Sequence, residues 1–250
     1  MNDVAVIILA AGKGTRMKSD LAKVLHPVAG KSMIVHVTRC ARAITRDEIH
    51  IVVGHQAEQV KSEVSAHYSV RFALQKALLG TGDAVKAALP DLAEHIRHVL
   101  VLCGDVPLIR KQTLKDLLAG HLDASAALTV LAVHQDNPFG YGRIITDGQG
   151  RLLAIREERD ASDAEKQISL VNTGIYCFRR DFLETGIGLV RKENNQAEYY
   201  LTDLVEIAVS QHETTHVQIL DDPDQVMGVN NLSELARAEA LFHDDPDELP

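Results

Sequence analysis

Residues 7–17 read IILAAGKGTRM. They finish an apolar run that starts at Val4 and break it with three small residues, then with two glycines set among Lys13, Thr15 and Arg16. VAVIIL at 4–9 is apolar and β-branched at nearly every position rather than at every second one. Such a run suits a strand buried on both faces of a parallel sheet. The glycines beyond it allow a tight turn and a close approach of backbone to something outside it.

Working outward, Met33, Ile34, Val37, Cys40, Ala41 and Ile44 recur at helical spacing and predict an amphipathic helix over 32–44. HIVVG at 50–54 predicts the next strand, residues 57–66 a helix with Val60 and Val64 on one face, and VRFAL at 70–74 a short strand. QKALLGTGDAVKAAL is expected to be helical in its second half, and HVLVLCGD at 98–105 is a further buried strand that ends on an acid. Alternation of strand and helix predicts an α/β fold built on a Rossmann-like, doubly wound, mostly parallel sheet.

The second half changes character. AALTVLAVH (126–134), GRIIT (142–146), LLAIR (152–156) and LVNTGIYCF (170–178) are strand-like, with turn-rich links. Helices are expected near 180–192 and 202–211, a strand at THVQIL (215–220), and a last helix at LSELARAEALF. This half predicts a mixed β extension carrying a second binding wall. One domain is expected over 1–231, in halves of about 1–110 and 111–231, followed over 232–250 by the last helix and the acidic tail HDDPDELP, which lacks apolar periodicity and is expected to fray.

The chain has 250 residues, 46% of them apolar and 24% charged, which fits a globular protein with a real core. A net charge of −9 argues against nucleic acid or an anionic membrane as the main partner, although a local basic cluster can still bind a small anion. Cys40, Cys103 and Cys177 have no ligand-like spacing, and an odd number of cysteines fits a reducing compartment. The N-terminal apolar run is too short to cross a bilayer and lacks the flanks of a signal peptide, so a soluble, cytoplasmic protein is expected. No oligomer is implied. The 12 histidines form neither H-E-x-x-H nor a close pair with cysteine, and no G-x-S-x-G elbow occurs. This pattern points to positioning and charge neutralisation rather than covalent catalysis.

LAAGKGTRM is not a Walker A loop, and Met17 stands where a dinucleotide fingerprint needs its third glycine. Two readings stay open. The segment is a plain strand-to-helix turn with solvated basic residues, or Gly12 and Gly14 aim N–H groups at an anion while Arg16 and Lys23 supply charge. Its place after the first buried strand favours the second, because ligands of open α/β sheets bind at the carboxyl ends of strands. Asp105 ends another such strand and is placed to hold Mg²⁺, or else to cap the following segment. GVNN leaves two readings open: Asn231 or Ser233 caps the last helix, which the motif by itself favours, or Asn230 instead offers an amide oxygen to a metal. In EYYLTD, Thr202 is expected to N-cap a helix, and Tyr200 to help form either a buried aromatic pair or a wall for a hydroxyl-rich ligand. The turn at Tyr141, Gly142 and Arg143 looks similar. Glu157 and Asn172 suit recognition of sugar hydroxyls, or are ordinary turn residues.

Taken in order, LAAGKGTRMKSDLAKVL, LQKALLGTGDA, LCGDVPL, GYGRI, REERDAS, VNTGIY, EYYLTD and GVNN resemble the sugar-phosphate nucleotidylyltransferases over about residues 4–231. Within that family the chain looks most like the uridylyltransferase domains acting on N-acetylglucosamine-1-phosphate. The resemblance implies a nucleotide-diphospho-sugar transferase fold, with a nucleotide-binding first half and a sugar-phosphate-binding second half. It implies that Leu9, Ala10, Ala11, Gly12, Gly14 and Thr15 wrap a nucleoside triphosphate, with Arg16 and Lys23 on its phosphates. Gln75, Gly80 and Thr81 would read the uracil edge, and Asp105 and Asn230 would hold Mg²⁺. Gly142, Glu157, Asn172, Tyr200 and Thr202 would line the amino-sugar phosphate pocket.

The chain departs from the family at Ala22, where proline is usual before the lysine, and at Cys103, where an aromatic residue often precedes Gly-Asp. Arg159 and Ala197 stand where lysine and glycine are commoner. No hexapeptide repeat of the β-helix that carries acetyltransferase activity in the bifunctional enzymes occurs, so no acetyl transfer is expected of this chain, whether it is free-standing or a piece of a longer one. The implied partners are UTP and a sugar-1-phosphate. The rival readings are another nucleotide and sugar-1-phosphate pair, a catalytically silent nucleotide-sugar-binding module, and a molybdenum-cofactor-type nucleotidyltransferase, which explains EYYLTD and GVNN poorly.

Overall fold

The computed structural model describes residues 3–148 and 150–242. The acidic tail after residue 242 lies outside them. The chain runs β1 (Val4–Ala10), β2 (Pro27–Val28), β3 (Lys31–Ser32), α1 (Met33–Ala41), β4 (Ile49–Val53), α2 (Ala57–Ser65), β5 (Arg71–Leu74), α3 (Thr81–Ala88) and β6 (His98–Cys103). It continues through α4 (Lys111–Asp123), β7 (Leu128–His134), β8 (Arg143–Thr146), β9 (Leu152–Arg156), β10 (Leu170–Arg179), α5 (Arg180–Gly186), α6 (Asp203–Ser210), β11 (Thr215–Leu220) and α7 (Leu232–Leu241).

Nine strands form one sheet in the order β11-β7-β10-β6-β1-β4-β5, with β8 joined to β10 and β9 to β8. β1 pairs in parallel with β4 and β6, and β4 with β5. β10 runs antiparallel between β6 and β7, so the sheet is mixed in its second half, as the turn-rich strands there predict. β1 shows why VAVIIL is apolar throughout. Val4, Val6 and Ile8 pack on the layer of α1, α2 and α4, while Ala5 and Ile7 pack on the layer of α3, α5 and α6. Burial on both faces leaves no position for a polar side chain.

Two expectations need correction. The helix expected over 180–192 stops at Gly186: Ile187 closes the last turn, and the chain beyond it makes only a turn, with the Leu189 N–H donating to the Gly186 carbonyl at 2.9 Å. The helix expected from Ser32 to Ile44 ends as α-helix at Ala41 and finishes in turns. α4 and the short β2–β3 hairpin were not anticipated. The signal for α4 was present, since Leu114, Leu117, Leu118 and His121, four of its five buried residues, share one face.

Candidate active site

Three strand ends are stitched together by backbone hydrogen bonds. Gly104 donates to the Leu9 carbonyl at 2.9 Å, and His55 donates to the Ala11 carbonyl at 3.0 Å. Leu9, Ala10 and Ala11 therefore tie the carboxyl ends of β1, β4 and β6 into one platform. Gly12 and Thr15 lie on the exposed side of the turn that follows, as does Lys13. Gly14 is different. Its φ is +59°, and a Cβ there would come within 2.5 Å of the Lys23 Cβ. Glycine is required on both counts, and the contact seats Lys23 against the turn.

Lys23, Asp105, Asn230 and Arg16 meet although they are scattered along the chain. The Lys23 ammonium is paired with the Asp105 carboxylate and also donates to Asn230 Oδ1 at 3.1 Å. Arg16 Nη2 donates to the same Asn230 oxygen at 2.9 Å. Val229 donates to the Asp105 carbonyl at 2.9 Å, which brings GVNN beside the end of β6. Asn231 caps α7 by accepting from the Glu234 N–H at 2.9 Å, and Glu234 Oε2 in turn accepts from the Asn230 N–H at 2.6 Å. The cap and the amide oxygen thus fall to two neighbouring asparagines. Asp105 and Asn230 present hard oxygens that already share one cationic nitrogen. Among the described residues no group of three His, Cys, Asp or Glu is placed to hold a metal ion. A divalent ion here would take few protein ligands and fill its shell with water and phosphate oxygens, which suits Mg²⁺.

A second cluster lies across β10. This strand changes register against β7 between Asn172 and Tyr176. At that irregularity Gly174 has φ +78°, and its Cα faces the Cys103 sulfur, 2.8 Å from where a Cβ would stand. Asn172 is inside the strand, not in a turn. Its N–H donates to the Gly142 carbonyl at 2.8 Å, and its Oδ1 accepts from Gly174 at 3.0 Å. A Cβ on Gly142 would touch Asn172 and Glu157, at 3.5 and 3.6 Å. Thr202 does not cap α6 with its side chain. Its hydroxyl donates instead to Glu157 Oε1 at 3.2 Å. Burial pushes the Glu157 carboxyl up, against the Thr202 hydrogen bond, which lowers it. Gly142, Glu157, Asn172 and Thr202 form one polar wall, while the Tyr200 hydroxyl is held outside their hydrogen bonds by Gln196 and Asp160, at 2.7 and 3.2 Å. Arg143 is buried and ion-paired with Glu158 at 2.8 Å, so it holds the Gly142 turn from behind.

A third group is tied to the segment that carries Tyr200 and Thr202. Gln75 Nε2 donates to the Gly80 carbonyl at 3.1 Å and to Asp83 Oδ2 at 2.8 Å. Tyr199 donates to the Leu79 carbonyl at 2.7 Å, Gly82 to the Tyr199 carbonyl at 2.8 Å, and Leu201 to Thr81 Oγ1 at 3.0 Å. Gly80, at φ +113°, leaves no room for a Cβ beside the Tyr199 backbone. The segment of Gln75, Gly80 and Thr81 is therefore laced to the segment that carries Tyr200 and Thr202.

The sequence pattern of the Nucleotidyl transferase family matches residues 5–223. The chain belongs to that family. It is 50% identical over 238 residues to the bifunctional protein GlmU of Trichlorobacter lovleyi, covering 95% of this chain and 52% of that protein. It is 48% identical over 242 residues to the GlmU of Pelobacter propionicus, covering 97% of this chain and 53% of that one. The GlmU of Desulfotalea psychrophila is 44% identical over 238 residues, 95% of this chain and 70% of its own length. The chain thus spans about half the length of the first two relatives. A crystal structure from Bacillus anthracis, described as a glucose-1-phosphate thymidylyltransferase in complex with sucrose, superimposes with a TM-score of 0.75 at 19% identity, over 97% of this chain and 96% of that one. That likeness speaks for a shared nucleotidyltransferase-type fold. No helix among the described residues is long and apolar enough to cross a membrane.

Three residues beside the site escaped sequence reading: Asp160, Glu234 and Gln56. Asp160 sits in the quoted REERDAS motif, but its tie to Tyr200 spans 40 residues and leaves no local trace. Glu234 had a readable signal, an acid three residues after a capping asparagine.

Proposed function

We propose that this chain transfers a uridylyl group from UTP to N-acetylglucosamine-1-phosphate, giving UDP-N-acetylglucosamine and pyrophosphate. The observation that carries the reading is the convergence of two cations, Lys23 and Arg16, on the oxygens of Asp105 and Asn230 at the strand ends. The polar wall of Gly142, Glu157, Asn172 and Thr202, reached through Cys103 and Gly174, adds to it. Two phosphorylated reactants have to be brought together against their own repulsion, and cations fixed beforehand meet that need. Family membership and the half-length match to GlmU proteins support the same chemistry.

In this reading an oxygen of the sugar-1-phosphate attacks the α-phosphorus of UTP in line. A new P–O bond forms as the bond to the β-phosphate oxygen breaks and pyrophosphate leaves. The attacking oxygen is already anionic, so no general base is assigned. Lys23 and Arg16 donate to phosphate oxygens as charge shifts in the transition state. Asp105 and Asn230 would hold Mg²⁺, whose charge would screen the two anions from each other. Backbone N–H groups of the Gly12–Thr15 turn take the triphosphate, Gln75, Gly80 and Thr81 the base, and the wall with Tyr200 the sugar. Alignment of the two reactants supplies the rest of the rate enhancement. The cytoplasm, where both substrates would be met, is the proposed compartment.

The test is a grid of nucleoside triphosphates against sugar-1-phosphates with Mg²⁺, read by pyrophosphate release. UTP with N-acetylglucosamine-1-phosphate is expected to react fastest. A preference for CTP or dTTP, or for another sugar, would move the specificity elsewhere. No turnover with any pair would leave a silent nucleotide-sugar-binding module.

A further inference from the structure

Lys23 is launched from a backbone that another part of the chain holds. The preceding residue, Ala22, is buried and has φ −54° and ψ 136°. Its N–H donates to Gln56 Oε1 at 2.7 Å, and Gln56 Nε2 donates to the Asp20 carbonyl at 2.5 Å. One side-chain amide, just past the carboxyl end of β4, therefore grips both ends of the 20–22 segment. Gln56 itself has φ 52° and ψ 40°, the left-handed region that residues other than glycine seldom occupy. It stands at the N-cap position of α2, yet its side chain makes no capping bond. Its conformation is thus unfavourable locally, and its amide is spent on the loop rather than on its own helix.

Directly after the clamp, Lys23 opens a single 3₁₀ turn over Lys23–Leu25, with its Cβ against Gly14 and its ammonium on Asp105 and Asn230. A small change in the torsions at Ala22 would swing that long side chain off both oxygens. We propose that Gln56 is a positioning residue for Lys23, fixing the direction from which the ammonium reaches the reacting phosphates. The proposal rests on the uridylyl-transfer reading above and adds a residue to it that touches neither substrate.

Proline at residue 22 can take over half of the clamp's task. Its ring would hold φ near the observed −54°, and it has no N–H left to satisfy once Gln56 is gone. Gln56→Ala is expected to lower kcat by about 10- to 100-fold, the scale of a misplaced reacting group, with KM for both substrates within about twofold. Ala22→Pro added to Gln56→Ala should return kcat to within about threefold of the parent. A purely structural tie would lower the melting temperature and give no such rescue of kcat. The NMR signal of the Lys23 side chain, labelled at Cε, should shift in Gln56→Ala and return in the double variant, whatever the activity. Wild-type kcat in Gln56→Ala, or an unmoved Lys23 signal, would overturn the proposal. Absence of turnover in the parent chain would instead overturn uridylyl transfer, with the Lys23 signal still deciding the clamp.

Discussion

The Lys23 ammonium is ion-paired with the Asp105 carboxylate across 82 residues of sequence, and both side chains are mostly buried, at 17% and 18% exposure. A pair this sheltered from water keeps more of its Coulomb interaction than a surface pair does. Lys23→Ala should lower kcat by about 10²–10³-fold, the usual loss when one preorganised charge facing a transition state is removed. Asp105→Ala should lose the Mg²⁺-dependent part of turnover. Circular dichroism should show both variants folded, and rates across a Mg²⁺ titration should separate them. Near-normal rates for Asp105→Ala in Mg²⁺ would remove Asp105 from the metal site.

Gly12 and Gly14 look alike in the sequence and differ in space. A Cβ at Gly12 meets nothing within 4 Å, whereas one at Gly14 meets the Lys23 Cβ at 2.5 Å on a backbone with φ +59°. Gly12→Ala should leave the melting temperature within about 2 °C of the parent, since it creates no clash. Gly14→Ala should destabilise by about 1–3 kcal/mol, the range for a non-glycine residue forced into a sparsely populated conformation, and should also depress kcat by displacing Lys23. Equal effects from the two substitutions would contradict the different environments of the two glycines.

Glu234 couples the last helix to the site. Its carboxylate accepts from the Asn230 N–H at 2.6 Å while its own N–H is capped by Asn231 at 2.9 Å. Glu234→Ala should lose about 0.5–1 kcal/mol of stability, as loss of one hydrogen bond of a cap does. It should also raise the Mg²⁺ concentration needed for half-maximal rate, because Asn230 is freed. Thermal melts and Mg²⁺ titrations of the same preparation measure both.

Asp203, in the first turn of α6, has its carboxyl pushed up to about 6 by burial first and by the charge of Glu206 next. The folded chain therefore holds a proton between about pH 4 and 6 that the unfolded chain, near the ordinary 3.8, has released. Folding is favoured as pH falls through this window and disfavoured above it. Asp203→Asn should raise the melting temperature near pH 8 by about 2–4 °C, the shift that on the order of 1 kcal/mol gives in a chain of this size. The gain should vanish as pH approaches 4. A gain that persists there would assign the effect to something other than the charge.

Much of the fold was legible because it rests on local patterns. Burial of β1 on both faces forces apolar residues at every position, and that run is visible without any partner strand. The eight motifs in order were enough to indicate the family. Side-chain partners were not legible. Thr202 follows the usual preference for a helix N-cap, yet its hydroxyl turns to Glu157, 45 residues away, because the buried carboxylate needs a donor.

By itself, the sequence determined the strand and helix order, the glycine-rich turn after the first strand, and which acids, amides and cations were available to it. Periodicity and backbone preference are short-range, and they write themselves into neighbouring residues. Only the tertiary structure decided that Lys23 and Arg16 share the Asn230 oxygen, that Gly14 rather than Gly12 makes room for Lys23, and that Gln56 holds the segment before it. Those contacts join residues 34 to 214 positions apart or depend on whether a Cβ has room, 2.5 Å from a neighbour at Gly14 and with nothing within 4 Å at Gly12, and neither quantity is written in any local run of residues.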